Sequence, residues 1–501
     1  MTPSNRQVAI YDHWETTDDN LLVEAVAGSG KTTTLIELLK LCEYRTLFLA
    51  FNKSIQTEIQ ATIEREGLEQ GKAMTMHSMG LAAIRANGRF RINNNKKYDI
   101  TKALQAQYAD LYKKFTWEDK IKLSYTLMDL VDTTKLFLTD DLDEVMSHMV
   151  DMDKNFYDAF FKDIDGNEHS FIKYSWEALL ELRDAYYEED IVQIDFNDMI
   201  YLPVKKQLPI PVRPYYLMID EAQDLNLCQH GLIKLLMNQG DIQKFIAVGD
   251  RRQSIYGFSG AYASSFELFK EYPHTRQFPL DINYRCPGLI LAQANEVYDV
   301  MQGNKRYDGV VETVEDVEDI KDGSMIICRN SAPLFSVYFG LLGQKRKAVI
   351  KGDDILGNII NFLKPLNYKT VTQARIKIER ELAKLAAKLS DPKYAFKYHK
   401  LKENLGIFNI LVANMCLEST KIGDLLEAIK KIFKNDDEEA IMLCTIHKSK
   451  GLQADVVYIL NENLIPSKFA KSAKQLEQEI NLKYVARTRA KEEMYYLNLE
   501  I

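Results

Sequence analysis

The stretch AVAGSGKT, Ala25 to Thr32, follows the apolar run NLLVE and precedes a helix-forming segment. Glycines at 28 and 30 allow the backbone to curl so that its N–H groups point inward at a helix N-terminus, a geometry that cradles phosphates. In such a loop Ala25, Val26, Ala27, Gly28, Ser29 and Gly30 line the phosphates, Lys31 reaches the β- and γ-phosphates, and the Thr32 hydroxyl ligates Mg²⁺. The first glycine of the general pattern is replaced here by Ala25. A second stretch, YYLMIDEAQD, delivers Asp220 and Glu221 to the end of another apolar run. Asp220 is placed to hold Mg²⁺ through water, and Glu221 to polarise an attacking water. A glycine turn with a chance lysine, or a pair of solvated acids, is the plainer reading of each motif alone. Their occurrence in one chain points to nucleoside triphosphate hydrolysis.

A third stretch, VGDRRQSIYGFSGA, turns abruptly from apolar to polar at Gly249-Asp250. The residues beyond a parallel strand's carboxyl end are where open α/β sheets bind ligands. The Gln253 amide is suited to sensing a γ-phosphate or orienting water. Tyr256 and Phe258 either offer flat faces to bases or pack beneath a helix; stacking on bases is sequence-tolerant.

Elements must hold these turns. Short β-rich runs carry them: NLLVEAV, RTLFLAF, PYYLMID, KFIAVGD, GSMIICRN, AIMLCTIH, ADVVYIL and EMYYLNL. Strands alternating with helices predict parallel sheets covered on both faces. Two long, charged, helical blocks interrupt the pattern, at about 85–190 and 365–438. The expected organisation is a first α/β core of residues 1–84 and 191–277 around one insertion, and a second of 278–364 and 439–501 around the other. At 501 residues the chain has room for about three domains. Its net charge of -8 argues weakly against a nucleic-acid partner, but a basic groove can hide within a whole-chain sum. The six cysteines show no paired metal spacing and are expected to be reduced. No stretch is long and apolar enough to span a bilayer, and the first residues lack the character of a signal peptide.

Taken in order, AVAGSGKT, IDEAQD, VGDRRQSIYGFSGA, INYRCP, TIHKSKGLQADVVYIL and YVARTRAK resemble the motifs of superfamily 1A DNA helicases of the UvrD/Rep kind. FNKSIQTE also resembles their F-box-helicase-like branch. The resemblance implies an α/β fold of two RecA-like parallel-sheet P-loop cores, each interrupted by a helical insertion, with ATP and Mg²⁺ held in a cleft that closes and opens between them. It makes Gln7 the reader of adenine, Tyr284 the ring stacked on it, and Arg285 and Arg489 the arginines that neutralise the transferred phosphoryl. It assigns single-strand contacts to Phe51, Asn52, Thr75, His77, Ser78, Tyr256, Phe258 and His447. The histidines have a structural hydrogen-bonding role as their alternative. Several positions depart from the family: one residue fewer separates Phe51 from Asn52, Phe258 replaces a common tryptophan, and Arg251-Arg252 replace acids. Ser259 and Thr33 stand for arginines, and Gln453 for a glutamate near the sugar.

The implied activity is ATP-dependent travel on single-stranded DNA, 3′ to 5′, with unwinding of a 3′-tailed duplex. The alternatives are a DNA-stimulated ATPase that strips proteins from single strands, and a binding module with a vestigial nucleotide site. A loading, replication or repair partner is expected, in a cytoplasmic or nuclear setting rather than a secreted one. After Arg489 the chain is expected to end within a strand, without an appended nuclease. In the second insertion Ile378, Leu382, Leu385 and Leu389 recur at helical spacing and are expected to form a buried stripe. The same region, 368–402, holds ten basic against three acidic residues. Such a face either contacts duplex or is simply solvated.

Overall fold

The computed structural model describes residues 2–499 except 153, 155, 258–259, 263, 306, 367–368, 388–391, 418 and 433–438. Phe258, Ser259 and Leu389 of the sequence reading therefore lie outside the described residues. The chain divides into two compact units, Met1–Asp281 and Ile282–Ile501.

In the first unit six strands form one sheet: β1 (Asn20–Ala25), β2 (Thr46–Ala50), β3 (Gly71–Thr75), β4 (Tyr216–Ile219), β5 (Lys244–Gly249) and β6 (Thr275–Leu280). Their order is β6-β1-β5-β4-β2-β3 and every pairing is parallel. Alternate side chains serve two separate cores. Leu21, Val23, Phe48, Met218, Ile246 and Val248 pack on one face, with Ile10, Trp14 and Leu35 of flanking helices. Leu22, Leu47, Leu49, Leu217, Ile219, Phe245 and Ala247 pack on the other. A sheet covered on both faces needs apolar residues at successive positions, which is why these strands read as continuous runs. β6 pairs with β1 along its whole length, so this sheet reaches Leu280, past residue 277.

Between β3 and β4 lie the helices Lys96–Gln107, Trp117–Phe137, Leu142–Asp151 and Phe171–Ala185. They have their own core, built from Ile100, Leu104, Leu123, Leu127, Val131, Phe171 and Leu179. A buried set of charges fastens this layer to the segment that returns to the sheet. Lys135 bonds Asp195 at 2.7 Å and Asp198 at 2.8 Å, and Lys96 bonds Asp198 at 2.8 Å. Two ammonium groups against two carboxylates leave no net buried charge, and breaking such a set costs several kcal/mol. The helix Met76–Asn87 runs through the expected start of the insertion at residue 85.

The second unit repeats the plan with β7 (Val310–Val314), β8 (Met325–Cys328), β9 (Ala348–Lys351), β10 (Ile441–Thr445), β11 (Ala454–Leu460) and β12 (Ala490–Leu497). The order is β7-β12-β11-β8-β10-β9, again all parallel. These are the two parallel-sheet α/β cores expected of RecA-like domains. Among the described residues, the helices Val371–Ala386, Pro392–Met415 and Ile422–Ile432 form no separate core of their own. Their Val371, Ala374, Ile378, Phe408, Leu411, Ile422 and Ile429 join the cluster that holds Ile326, Ile350, Leu443 and Tyr458. The expected stripe is corrected accordingly. Ile378 is buried, but Leu382 and Leu385 are only half-buried, and the covered face continues toward Val371 instead. That end of the helix is the one packed on the core.

All eight runs read from the sequence are strands, and they are the inner strands of the two sheets. The four strands of these two sheets that were not anticipated, β3, β6, β7 and β9, are their four edges. Edges are covered less, so GKAMT, TRQFPL and VVETV carry polar residues and, in β6, a proline that a central strand would exclude.

Gly80, in the helix that follows β3, marks the tightest approach in the first unit. A Cβ there would fall 1.9 Å from the Met199 carbonyl oxygen of the helix Asp198–Lys206. Gly80→Ala is expected to push these helices apart, costing on the order of 2 kcal/mol or more, seen as a lowered Tm and lost soluble yield. An unchanged melting curve would refute the close packing.

Candidate functional site

The carboxyl ends of β1, β5 and β4 lie side by side, and the turns that leave them bring the polar residues together. After β1, Gly28 and Gly30 adopt left-handed backbone at φ 67° and 81°. Glycine enters this region without strain, and Gly30 there caps the helix Lys31–Lys40 with no side chain over its amino end. Ser29 is buried and its hydroxyl donates to the Val26 carbonyl at 2.9 Å, holding the loop. Ala25, Val26 and Ala27 are buried beneath it. Lys31 Nζ stands 3.6 Å from Glu221 Oε1, and the Thr32 hydroxyl donates to Asp220 Oδ2 at 2.9 Å. Asp220 directly follows β4 and is only 3% exposed. Burial, and then the neighbouring Glu221 carboxylate, push it up to about 6. Glu221 takes a left-handed backbone at φ 51°, which turns its side chain out of the strand direction.

Two residues missed in the sequence reading complete this cluster. Gln223 is buried and donates to Glu221 Oε2, while its oxygen accepts from the Asp250 N–H at 3.0 Å. Asp250, fully buried at the end of β5, accepts from the Gln253 amide at 2.7 Å. Burial raises Asp250 above the ordinary carboxylate range, against the opposing pull of Lys31. The available signal was the glutamine in IDEAQD and the acid that ends KFIAVGD. Arg251 and Arg252 meet Glu24 of β1 at 3.1 and 3.4 Å. Gln7 occupies the third position of the helix Asn5–Thr16. Its oxygen accepts from Ser4 N–H at 2.9 Å in a capping box, and its nitrogen donates to Thr34 at 3.0 Å. The amide is thus held directly behind the phosphate loop.

Of the residues read as nucleic-acid contacts, Phe51 and Tyr256 stack on one another, with centroids 5.7 Å apart and planes 9° from parallel. The exposed Asn52 caps the helix Lys53–Arg65 through a 2.9 Å bond from Ile55 N–H. Thr75 and Ser78 form the capping box of the helix Met76–Asn87. His77 stacks on the exposed Phe196 at 3.8 Å, and burial lowers it to about 4, so it is neutral at physiological pH. Helix capping and ring stacking are therefore roles these side chains already hold.

In the second unit, Asn283 accepts from the N–H groups of Arg285 and Cys286 and so shapes the NYR turn that presents Tyr284. Arg285 donates to the Thr488 carbonyl at 2.9 Å. Arg489 is 1% exposed and donates to the Val485 and Leu452 carbonyls and the Thr488 hydroxyl, at 2.9, 3.2 and 3.1 Å. Both arginines thus converge on Thr488. His447 follows β10, half-buried; burial and the nearby Arg329 lower it to about 3.

The Thr32 hydroxyl and the Asp220 carboxylate form an all-oxygen donor pair. A hard divalent cation fits it, and would relieve the charge that burial and Glu221 make unfavourable on Asp220. Among the described residues no group of three or more His, Cys, Asp or Glu could hold a metal by itself. Mg²⁺ needs no such cage, since it binds through one or two carboxylates together with substrate phosphates.

Comparison with known proteins agrees with this geometry. The UvrD/REP helicase N-terminal domain model matches residues 5–274, and the UvrD-like helicase C-terminal domain model matches 344–499. The ATP-dependent DNA helicase Rep of Buchnera aphidicola is 27% identical over 55% of this chain and 40% of its own length. The ATP-dependent DNA helicase PcrA of Staphylococcus epidermidis is 27% identical over 56% of this chain and 38% of its own. F-box DNA helicase protein 1 of Schizosaccharomyces pombe is 22% identical over 95% of this chain and 55% of its own. The chain thus spans between 38% and 55% of the length of these curated relatives. With one family model matching more than half of its residues, the chain belongs to the UvrD/Rep helicase family.

Proposed function

We propose that this chain hydrolyses ATP and uses the cycle to travel 3′ to 5′ on single-stranded DNA, unwinding 3′-tailed duplex as it goes. The observation that carries the reading is the pairing of Lys31 with Glu221 and of Thr32 with Asp220, with the Asp250–Gln253 turn between them. Lys31 is placed for the β- and γ-phosphates, and Glu221 for the proton of an attacking water. Thr32 and Asp220 would hold Mg²⁺, which would supply charge neutralisation for the phosphates. Gln253 is the γ-phosphate sensor. The family resemblance gives Arg285 and Arg489 the neutralisation of the transferred phosphoryl, Gln7 and Tyr284 the adenine, and the direction of travel. Tyr256 lies three residues beyond Gln253 on one turn, so strand binding at the Phe51–Tyr256 stack has a short path to the hydrolytic centre.

A second reading is a DNA-stimulated ATPase that displaces proteins from single strands with little unwinding. It draws on the second insertion, which shares the core of its unit and forms no separate body for handling duplex. ATPase rates with and without single-stranded DNA, followed by displacement from 3′- and 5′-tailed duplexes, test both. A DNA-stimulated rate with displacement only from the 3′-tailed substrate supports the first reading. Stimulation without displacement supports the second, and an absence of ATPase activity overturns both.

Lys31→Ala should abolish hydrolysis while the protein stays folded and still binds single strands. Wild-type turnover in that variant would refute the phosphate-loop assignment. Glu221→Gln should still bind ATP while turnover falls by roughly a hundredfold or more. Lost ATP binding would instead assign Glu221 to metal ligation or folding.

Asp220 yields a stability test. Its folded value of about 6 lies above the ordinary value near 4, so the fold disfavours its ionised form. Stability is therefore lost as pH rises from about 4 through 6, and the whole cost, on the order of 1–3 kcal/mol, is present at pH 7.5. Asp220→Asn should raise Tm at pH 7.5 by a few degrees while eliminating turnover, and Mg²⁺ should stabilise the wild type more than the variant. A lowered Tm at that pH would contradict the strained-charge account.

A further inference from the structure

Gln223 lies two residues beyond Glu221 and is 2% exposed. Both ends of its amide are engaged. The nitrogen donates to Glu221 Oε2 and, at 3.4 Å, to Asp224 Oδ2; the oxygen accepts from the Asp250 N–H at 3.0 Å. The other Glu221 oxygen, Oε1, faces Lys31. The two oxygens of this carboxylate therefore have different jobs: one lies toward the phosphate-binding lysine, and the other is held by Gln223. On its far side the amide rests on the end of β5, where a Cβ on Gly249 would fall 2.5 Å from the Gln223 oxygen and 3.1 Å from its backbone nitrogen. No larger residue fits there without displacing the amide. The carboxylate of Asp250 in turn holds Gln253. A continuous path of hydrogen bonds thus leads from Glu221 through Gln223 and Asp250 to Gln253, joining the ends of two strands 27 residues apart.

We propose that Gln223 is a positioning residue for hydrolysis. It aims the Glu221 carboxylate and makes that aim depend on the Asp250–Gln253 turn, so that single-stranded nucleic acid on Tyr256 sets turnover without changing ATP affinity. The inference rests on the ATPase reading above. An N–H donor bonded to a carboxylate favours its ionised form and fixes which oxygen faces the reactant. The same amide, anchored on the Asp250 N–H, shifts when the turn shifts. A rigid spacer would need neither the donor nor its bond to Glu221.

Gln223→Glu separates these roles. It keeps the shape and an acceptor for Asp250 N–H, but sets a second carboxylate against Glu221. In the full-length protein its DNA-stimulated kcat should fall at least tenfold at pH 7.5, with KM for ATP within about twofold of wild type. Gln223→Met keeps the length and removes both bonds. It should lower kcat at least fivefold and bring the ratio of DNA-stimulated to basal rate close to one. Wild-type kcat in Gln223→Glu, wild-type stimulation in Gln223→Met, or a KM that rises in step with the fall in kcat would each overturn the proposal. Failure of the underlying reading shows itself separately, as an unmodified protein that does not hydrolyse ATP or a Glu221→Gln variant with unaltered turnover.

Discussion

A parallel strand buried on both faces can present polar groups only where it ends, and this chain builds two six-stranded sheets of such strands. Everything chemical in the first unit follows from that constraint. Leu21 to Val23, Leu217 to Ile219 and Phe245 to Val248 are wholly buried, so polar residues cluster at the strand ends, such as Glu24 of β1, and in the turns beyond them. Because all six strands run the same way, those turns lie on one side. The strand order then decides which turns are neighbours: β5 lies between β1 and β4, which sets Asp250 and Gln253 between the phosphate loop and the acid pair.

Ending in a dry place is costly for a carboxylate. Asp220 and Asp250 are both pushed above the ordinary range because their surroundings cannot solvate charge, and in each case Lys31 offsets part of the cost. Such tension suits a site able to take up a cation, which would offset the negative charge that burial leaves poorly matched there. The buried lysine–aspartate set at Lys96, Lys135, Asp195 and Asp198 follows the opposite rule. Its charges are matched within the chain, and it joins the helical layer to the segment returning to the sheet.

The two insertions solve the problem of burial differently. The first gathers enough apolar side chains, from Ile100 to Leu179, to form a core of its own. The second lends its apolar face to the sheet it interrupts, so its helices complete the second core. The Phe51–Tyr256 stack and the His77–Phe196 stack, both beside helix caps, show the same economy at the surface: rings and hydroxyls read from the sequence as nucleic-acid contacts have work to do within the fold.

Much of this was legible in the sequence. The inner strands announce themselves because double-sided burial leaves no polar positions, and the glycine loop and acid pair because their chemistry admits few other residue types. The edge strands did not, since TRQFPL and VVETV carry the mixed composition that partial exposure allows. Nor did the partners of the singled-out residues. That the amide of Gln7 is spent on Thr34 and that Arg489 reaches the Leu452 carbonyl depend on distances between segments remote in the chain, whereas the caps made by Asn52 and Thr75 span three residues. Gln223 is the clearest case. Its neighbour Glu221 is two residues away and visible in any reading of IDEAQD, whereas Asp250 comes within reach only because β4 and β5 pair in parallel. The sequence by itself determined which residues stand at the strand ends, because burial is written in composition; the tertiary structure alone decided which of those ends meet, because strand order is set by how the helices cross over the sheet.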